Sequence, residues 1–233
     1  MNKLILSLVA AGSLAFSFAN AQLPDREAFG KIKRDLDQVP VSAFQLDPEL
    51  GKDLKMEVWA QSPLLFSPVA MDVDSQGRIW LTEGIDYNQG RRVSNGQSIM
   101  VVSDSDGDGK ADKSHIFVSE PKARHAPLGL AVFDNKIVLS ATPDLIVYTD
   151  VDRNAKFDSK IDKREVLLTG FKNTRHDHTL HAVVGSPSGQ WYFSFGNCGA
   201  DIKTTDGRHF LAGCYYGNSE VIGKKSSDGR VWV

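Results

Sequence analysis

The sequence has few cysteines, no excess of either charge and no long apolar run beyond its first residues. Only Cys198 and Cys214 are present, and two cysteines alone do not make a zinc site. Without a Cys-x-x-Cys-His motif, this chain binds no covalent c-type haem. The 27 basic and 29 acidic residues give a formal net charge of −2, which argues against nucleic acid as a partner. After residue 21, no segment is apolar for long enough to predict a transmembrane span.

The first 21 residues resemble a secretory signal peptide. Lys3 precedes an apolar run over residues 4–18, and residues 19–21 read Ala-Asn-Ala, the small-x-small pattern of a cleavage site. We therefore predict export to the periplasm or to the cell exterior. In such an oxidising compartment Cys198 and Cys214 could pair, but the sequence does not decide whether they do.

Short β-type runs recur after residue 54, and turns rich in Gly, Pro, Asn, Asp and Ser separate them. Each round is expected to contain four strands. Acidic loops begin at Asp104 and Asp150, 46 residues apart (150 − 104), at the same place in successive rounds. Such a repeat is typical of β-propeller blades, although a β-sandwich also has many short strands.

We therefore predict an all-β protein, a β-propeller with six or seven blades when complete, of which this chain holds about three to four. The predicted organisation is a signal peptide over residues 1–21 and an N-terminal extension or linker over 22–53. A partial propeller domain, truncated at its C-terminus, follows over 54–233.

The acidic loops place oxygen atoms at a spacing that suits a hard cation. The first loop has carboxylates at positions 1, 3, 5 and 9, with Gly109 at position 6, where the backbone must turn sharply. The second loop has Ala155 at that position, and a positive φ is costly for alanine. The alternative without a metal ion is a solvated Asp-Gly turn. The predicted calcium ligands, with a structural role, are Asp104, Asp106, Asp108, Asp112, Asp150, Asp152, Asn154 and Asp158.

Three histidines and an aspartate lie together over residues 175–181, directly before a predicted strand. A neutral imidazole can accept a hydroxyl proton near pH 7, and a neighbouring carboxylate such as Asp177 can orient it. Metal binding by His176 and His178 is an alternative, and so is a set of loop histidines that bond to the backbone. As catalytic candidates we place His178 ahead of His181 and His176.

Several stretches resemble a known family. Residues 62–83, SPLLFSPVAMDVDSQGRIWLTE, together with the acidic loop at 104–112, resemble the N-terminal propeller of the large exported bacterial membrane-bound dehydrogenases. Residues 143–150 and 164–170 fit the same family, and the resemblance covers the chain from about residue 54 onward. That family is similar to the soluble glucose/sorbosone dehydrogenases, which are six-bladed propellers that use pyrroloquinoline quinone (PQQ) and calcium.

The resemblance implies a PQQ-dependent dehydrogenase that oxidises a sugar or an alcohol. Hydride would leave the hydroxyl carbon for the quinone while His178 takes the hydroxyl proton. His178 stands at the family's distance from a turn, here residues 186–189, but His181 and Ala182 replace the family's Gly-Arg. Arg175 is the nearby candidate for the cofactor's carboxylates, and a cytochrome c, downstream or separate, is the implied electron acceptor.

Two alternatives to this enzyme stay open. One is a non-catalytic, calcium-stabilised propeller that binds glycan or protein partners. The other is a lactonase-like, metal-dependent hydrolase.

Overall fold

The computed structural model describes residues 5–7, 41, 44–84, 97–120, 127–172, 178–196, 198–203 and 207–212. The described part is all-β and contains no α-helix, as predicted. Within it, no helix is long and apolar enough to cross a membrane. The boundaries predicted at residues 21 and 53 are not tested by the structure and remain predictions.

Two four-stranded antiparallel sheets follow each other along the chain, and in each of them the strands pair in sequence order. The first sheet contains β3 (Pro68–Val73), β4 (Ile79–Glu83), β5 (Gln97–Ser103) and β6 (Lys113–Glu120). The second contains β7 (Gly129–Phe133), β8 (Lys136–Ala141), β9 (Asp144–Thr149) and β10 (Lys163–Thr169). The remaining strands form two-stranded pairs: β1 (Ile5–Ser7) with β2 (Lys55–Glu57), β11 (Leu180–Gly185) with β12 (Trp191–Phe195), and β13 (Ala200–Lys203) with β14 (His209–Ala212).

Local sequence accounts for the hairpins that begin each round. The turn between β3 and β4 runs over residues 74–77 and ends at Gly77, whose φ of 79° suits glycine. The turn between β11 and β12 repeats this design and ends at Gly189, with a φ of 82°. Between β7 and β8 the turn shortens to two residues, and Asp134 takes a φ of 57°, which aspartate tolerates better than most residues.

The second sheet is covered on both faces, which explains why β8 and β9 are buried almost throughout. One face packs against the first sheet through a core that includes Trp80, Ile99, Phe117, Leu139 and Tyr148. The other face packs against the strands that follow it, through Val138, Val147, Leu180, Val183 and Ile202. Burial on both faces replaces the alternating pattern of a half-exposed strand with a continuous apolar run.

Between sheets, the backbones come closest at the first strands, since β7 lies against β3 on one side and β11 on the other. Two polar contacts link these layers. The amide of Val132 on β7 donates to Asp72 Oδ2 on β3 at 2.7 Å. The Ser140 hydroxyl on β8 donates to the carbonyl of His181 on β11 at 2.5 Å. The sheets therefore approach one another most closely along one line of strands.

In the third round, the described residues pair β11 with β12 and form a separate hairpin from β13 and β14. In the described residues, β13 does not pair with β12 but lies beside the segment that follows β10. The amide of Asp201 donates to the carbonyl of Gly170 at 2.8 Å. A Cβ at Gly170 would lie 2.1 Å from the carbonyl oxygen of Asp201, so the close approach requires glycine. The expectation of four paired strands is thus confirmed for two rounds, and the described residues of the third round contain one hairpin, β11 with β12.

Candidate functional site

The first acidic loop joins β5 to β6 and brings three of the predicted ligands together. Oxygen atoms of Asp104, Asp106 and Asp108 lie within 4.8 Å of one another. Asp104 accepts hydrogen bonds from the amides of Gly109 and Gly107 at 2.8 and 2.7 Å, and these bonds hold the pKa of its carboxyl below the ordinary value. Gly109 has a φ of 91°, which confirms the sharp turn predicted there.

Asp112, the fourth predicted ligand of this loop, is not brought into that group. Its carboxylate accepts hydrogen bonds from the hydroxyl and the amide of Ser105, which lower its pKa. Asp112 therefore closes the loop from the strand side, while the other three carboxylates remain together at its tip.

The second acidic loop joins β9 to β10 and gathers Asp150, Asp152 and Asp162, again with oxygen atoms within 4.8 Å of one another. Asp150 is only 3% exposed and Asp162 only 7%. Burial raises the pKa of Asp150, and the neighbouring carboxylates of Asp152 and Asp162 add to that rise. Two nearly buried carboxylates beside a third make a site whose charge a cation would neutralise.

Sequence reasoning missed Asp162 and named Asp158 and Asn154 instead. Asp158 Oδ1 accepts from the amide of Lys160, and the Asn154 side-chain amide donates to Asp152 Oδ2. Asp158 is thus not in the group of three carboxylates, whereas the side chain of Asn154 lies directly beside Asp152.

Both loops are closed by a hydrogen bond between their second residue and their last aspartate. This shared bond is the feature that would have identified Asp162 from the sequence. Asp162 Oδ1 accepts from the amide of Val151, as Asp112 Oδ1 accepts from the amide of Ser105. In both loops the donor is the second residue, and the acceptor stands directly before a lysine and a strand. The second loop is thus four residues longer, and Asp162, rather than Asp158, is the equivalent of Asp112.

The second loop also packs against the first sheet. Ala155 is completely buried with a φ of 59°, so the strained conformation anticipated from its sequence position is present. Its amide donates to Asp150 Oδ2, and its carbonyl oxygen lies 2.8 Å from His115 Nε2 on β6. The amide of Phe157 donates to the carbonyl of Phe117, and the two rings make an edge contact. A cation in this loop would therefore sit beside the contact between two sheets.

His178 lies at the other end of the second sheet from this loop. The loop leads into the start of β10, whereas His178 follows the end of β10 and precedes β11. The amide of Leu180 donates to Thr142 Oγ1, which places this segment beside the connection from β8 to β9. Because β10 has seven residues, the two ends are about 20 Å apart. A cation bound by the acidic loop would thus be remote from His178.

Of the predicted catalytic group, the structure describes His178 and His181, both half-buried. The carbonyl of His178 accepts from the amide of Cys198 at 3.2 Å, and a Cβ at Gly196 would lie 2.6 Å from that oxygen. These contacts fix the backbone that carries the imidazole. Arg175, His176, Asp177 and Cys214 lie outside the described residues.

One cavity of about 330 Å³ is found beside the first acidic loop, lined by residues 58–64 with Lys110 and Ala111. The amide of Ala111 donates to the carbonyl of Trp59 at 2.8 Å, so the loop and this lining segment are joined. The cavity brings together none of the predicted catalytic residues.

These features define an all-β protein of repeated antiparallel sheets, with acidic clusters that could bind a metal ion. The family described as a domain of unknown function, DUF7133, matches residues 45–217, and the chain belongs to that family. No curated protein matches the chain.

Solved structures show only a limited likeness. The iodide and calcium structures of a Trichoderma reesei protein of Carbohydrate-Active Enzymes Family AA12 each give a TM-score of 0.36 at 18% identity, over 52% of this chain and 27% of theirs. Selenomethionine-substituted virginiamycin B lyase from Staphylococcus aureus gives 0.36 at 16% identity, over 66% and 43%. The chain thus spans about a quarter of the length of the AA12 protein. Scores this low carry no argument about function.

Proposed function

We propose that this chain is part of an exported β-propeller whose acidic loops bind calcium and thereby stabilise the contacts between blades. One observation carries the proposal. Two successive four-stranded meanders have an acidic loop between their third and fourth strands, and each loop gathers three carboxylates. Calcium prefers six to eight oxygen ligands, and carboxylates supplemented by carbonyl and water oxygens can supply them.

The arrangement of the sheets supports a propeller rather than a sandwich. In a propeller, successive sheets approach most closely at their first strands and spread apart toward their last. Here β3, β7 and β11 lie side by side, and the large side chains of Trp80, Phe117 and Tyr148 fill the space between the later strands. The blade number and the closure of the ring are part of the proposal.

Calorimetric titration of the chelator-treated chain with calcium chloride tests the metal proposal. We expect two sites in the natural sequence. One site should be lost in Asp106→Ala and the other in Asp152→Ala, whereas the exposed control Asp53→Ala should keep both. Absence of binding heat in the natural chain would refute calcium binding.

A second candidate function is a sugar or alcohol dehydrogenase with His178 as the general base. Its support is positional, because His178 is half-buried, has a fixed backbone and lies at the end of the second sheet remote from the acidic loops. As a base, its imidazole would take the proton of a substrate hydroxyl. Asp177 would orient the ring, and His181, on the adjoining strand, would contact the substrate.

The resemblance implies PQQ as the cofactor. PQQ carries carboxylates that need cationic partners, and Arg175 lies outside the described part. Lys172, the described basic residue closest to His178 along the chain, is paired with Asp201 at 3.4 Å. The site for PQQ, like the cytochrome c acceptor, therefore rests on the resemblance alone.

Dye-linked oxidation of a panel of sugars and alcohols, with and without added PQQ, tests the enzyme. His178→Ala should abolish turnover, whereas His209→Ala, which removes a half-exposed histidine bonded to Asp201, should not. Turnover that survives His178→Ala would exclude the base assignment. If no oxidation is seen at all, the glycan- or protein-binding propeller becomes the better proposal. The lactonase-like hydrolase has no comparable support, because its metal is expected on a mixed Glu/Asn/Asp set, and the two carboxylate clusters of the described residues consist of aspartates without a glutamate.

A further inference from the structure

In the part of the chain that the structure describes, three buried polar side-chain atoms have no hydrogen-bond partner. They are Oε1 and Nε2 of Gln97 and Nη2 of Arg164. Gln97 is 2% exposed, so its amide cannot reach bulk solvent. A buried donor or acceptor without a partner is costly, and native proteins usually satisfy such groups with protein or with ordered water.

Gln97 and Arg164 are both neighbours of one buried carboxylate, that of Glu120. Gln97 and Glu120 stand directly opposite each other on β5 and β6, so their side chains share one face of the first sheet. Ile99 and Val101 lie two and four residues after Gln97, and both belong to the core facing the second sheet. From the second sheet, Arg164 Nε donates to Glu120 Oε2 at 2.8 Å.

The Tyr148 hydroxyl also donates to Glu120 Oε2. Burial, together with this bond, raises the pKa of Tyr148 well above its ordinary value, so the hydroxyl keeps its proton. Two strands of the second sheet thus hold a carboxylate of the first, and the planar guanidinium of Arg164 places Nη2 beside it.

The chemistry of these groups restricts what could satisfy them. Nε2 and Nη2 are donors and Oε1 is an acceptor, so the occupant must both accept and donate. An anion would face the Glu120 carboxylate and a cation would face the Arg164 guanidinium. Water is neutral, performs both roles, and commonly makes about three hydrogen bonds in buried sites.

We propose that one or more internal water molecules are bound between the first and second sheets by Gln97 and Arg164, beside Glu120. They form an integral part of this contact between sheets. The proposal does not depend on calcium or on His178, because neither group takes part in it.

A crystal structure of the full chain at high resolution tests the site directly. We expect density for water within hydrogen-bond distance of the Gln97 amide and Arg164 Nη2. A direct hydrogen bond from Gln97 to Glu120 or to another side chain, with no water between, would overturn the proposal.

Stability of Gln97→Met gives an independent test, because methionine keeps the length of the side chain and removes both polar atoms. If water is bound, the substitution removes its hydrogen-bond partners on residue 97 and weakens its contact with Arg164 Nη2. The unfolding equilibrium constant should then rise about 5- to 100-fold. If Gln97 is truly without partners, its replacement should leave that constant unchanged or lower it, which would contradict the proposal. Gln76→Met, in an exposed turn, is the matched control and should change little.

Discussion

Asp74 offers a sharp test of how the turns stabilise these sheets. It begins the turn between β3 and β4, and its Oδ1 accepts from the amides of Gln76 and Arg78, both at 2.9 Å. Its Oδ2 accepts from Arg78 Nε at 2.6 Å and from the indole Nε1 of Trp80 at 2.8 Å. One carboxylate therefore joins the turn to the core residue Trp80.

The substitution Asp74→Asn separates these two roles. The new Oδ1 can still accept from the backbone amides, but the new Nδ2 is a donor that faces two donors. The indole of Trp80 is buried, and loss of its bond to a charged group should cost about 1.5–3 kcal/mol. Arg78 is partly exposed and can turn to water, so its pair adds at most about 1 kcal/mol. We therefore expect a loss of about 2–4 kcal/mol in the free energy of unfolding at pH 7.

The loss should also depend on pH. Burial would raise the pKa of Asp74, but hydrogen bonds from Trp80, Arg78 and the backbone outweigh it, and the net pKa is lowered. A lowered folded-state pKa stabilises the protein above the unfolded-state value of about 3.9, and this stabilisation is lost as the pH falls through the folded-state pKa. The difference between Asp74→Asn and the natural chain should accordingly shrink below about pH 4.

Urea unfolding followed by far-ultraviolet circular dichroism is the appropriate assay, because Trp80 fluorescence responds to the substitution itself. At pH 7 the midpoint should fall by about 1 to 2 M. The control is Asp134→Asn, in the equivalent turn of the second sheet, where the carboxylate is exposed and pairs with the exposed Arg153 rather than with a buried side chain. Equal losses in the two variants, or a loss for Asp74→Asn that is independent of pH, would refute the reasoning.

Three further substitutions test the second sheet and its loop. With calcium at a hundred times its dissociation constant, one site should raise the thermal midpoint by about 5–11 °C. Scanning fluorimetry should find that the rise due to the second loop is lost in Asp162→Asn and retained in Asp158→Asn. Identical behaviour of the two variants would contradict the ligand assignment. Ala155→Gly should leave the free energy of unfolding unchanged or raise it by up to about 1 kcal/mol, because glycine adopts a positive φ without strain and this gain offsets the lost methyl group. The control Ala131→Gly, in β7, should lower the free energy of unfolding. Equal losses for the two variants in urea unfolding would argue against strain at residue 155. Tyr148→Phe should lower the free energy of unfolding by about 1.5–3 kcal/mol, and no loss would mean that the bond from Tyr148 to Glu120 does not stabilise the fold.

Most of the strands could be predicted from local patterns. The sequence predicted recurring short strands after residue 54, and the structure has them, for example Lys136–Ala141 and Trp191–Phe195. Apolar runs bounded by Gly, Pro, Asn and Asp define such strands without reference to distant residues. The positive φ at Gly109 and at Ala155 was likewise accessible, because both occupy a fixed position after the first aspartate of a loop.

The pairing of strands in the third round could not be read in the same way. Residues 200–203 and 209–212 form a hairpin, but the hairpin lies beside the segment after β10 rather than beside β12. That choice depends on the close approach of Gly170 to Asp201, two residues that are far apart in the sequence. Local periodicity predicts that a strand exists, whereas its neighbour depends on such long-range contacts.

Asp162 escaped prediction because ligand spacing was assumed to be constant between the loops. A turn in which the amides of Ile161 and Asp162 both donate to the carbonyl of Asp158 brings Asp162 back toward Asp150. The backbone turn thus absorbs four additional residues without moving the closing aspartate. Comparing both loops backward from their following strands, rather than forward from their first aspartates, would have aligned Asp112 with Asp162.

The two acidic loops should contribute unequally to stability, because only the second is built into a core. In the first loop, backbone amides lower the pKa of Asp104, and Asp106 and Asp108 are exposed. In the second loop, Asp150 is buried among like charges, and the loop packs on the first sheet through Ala155 and Phe157. A cation bound there would relieve repulsion and order part of the contact between sheets. Asp152→Ala should therefore reduce the calcium-dependent rise in thermal midpoint more than Asp106→Ala, although each removes one exposed carboxylate. A larger reduction from Asp106→Ala would mean that the cation does not act through the packing between sheets.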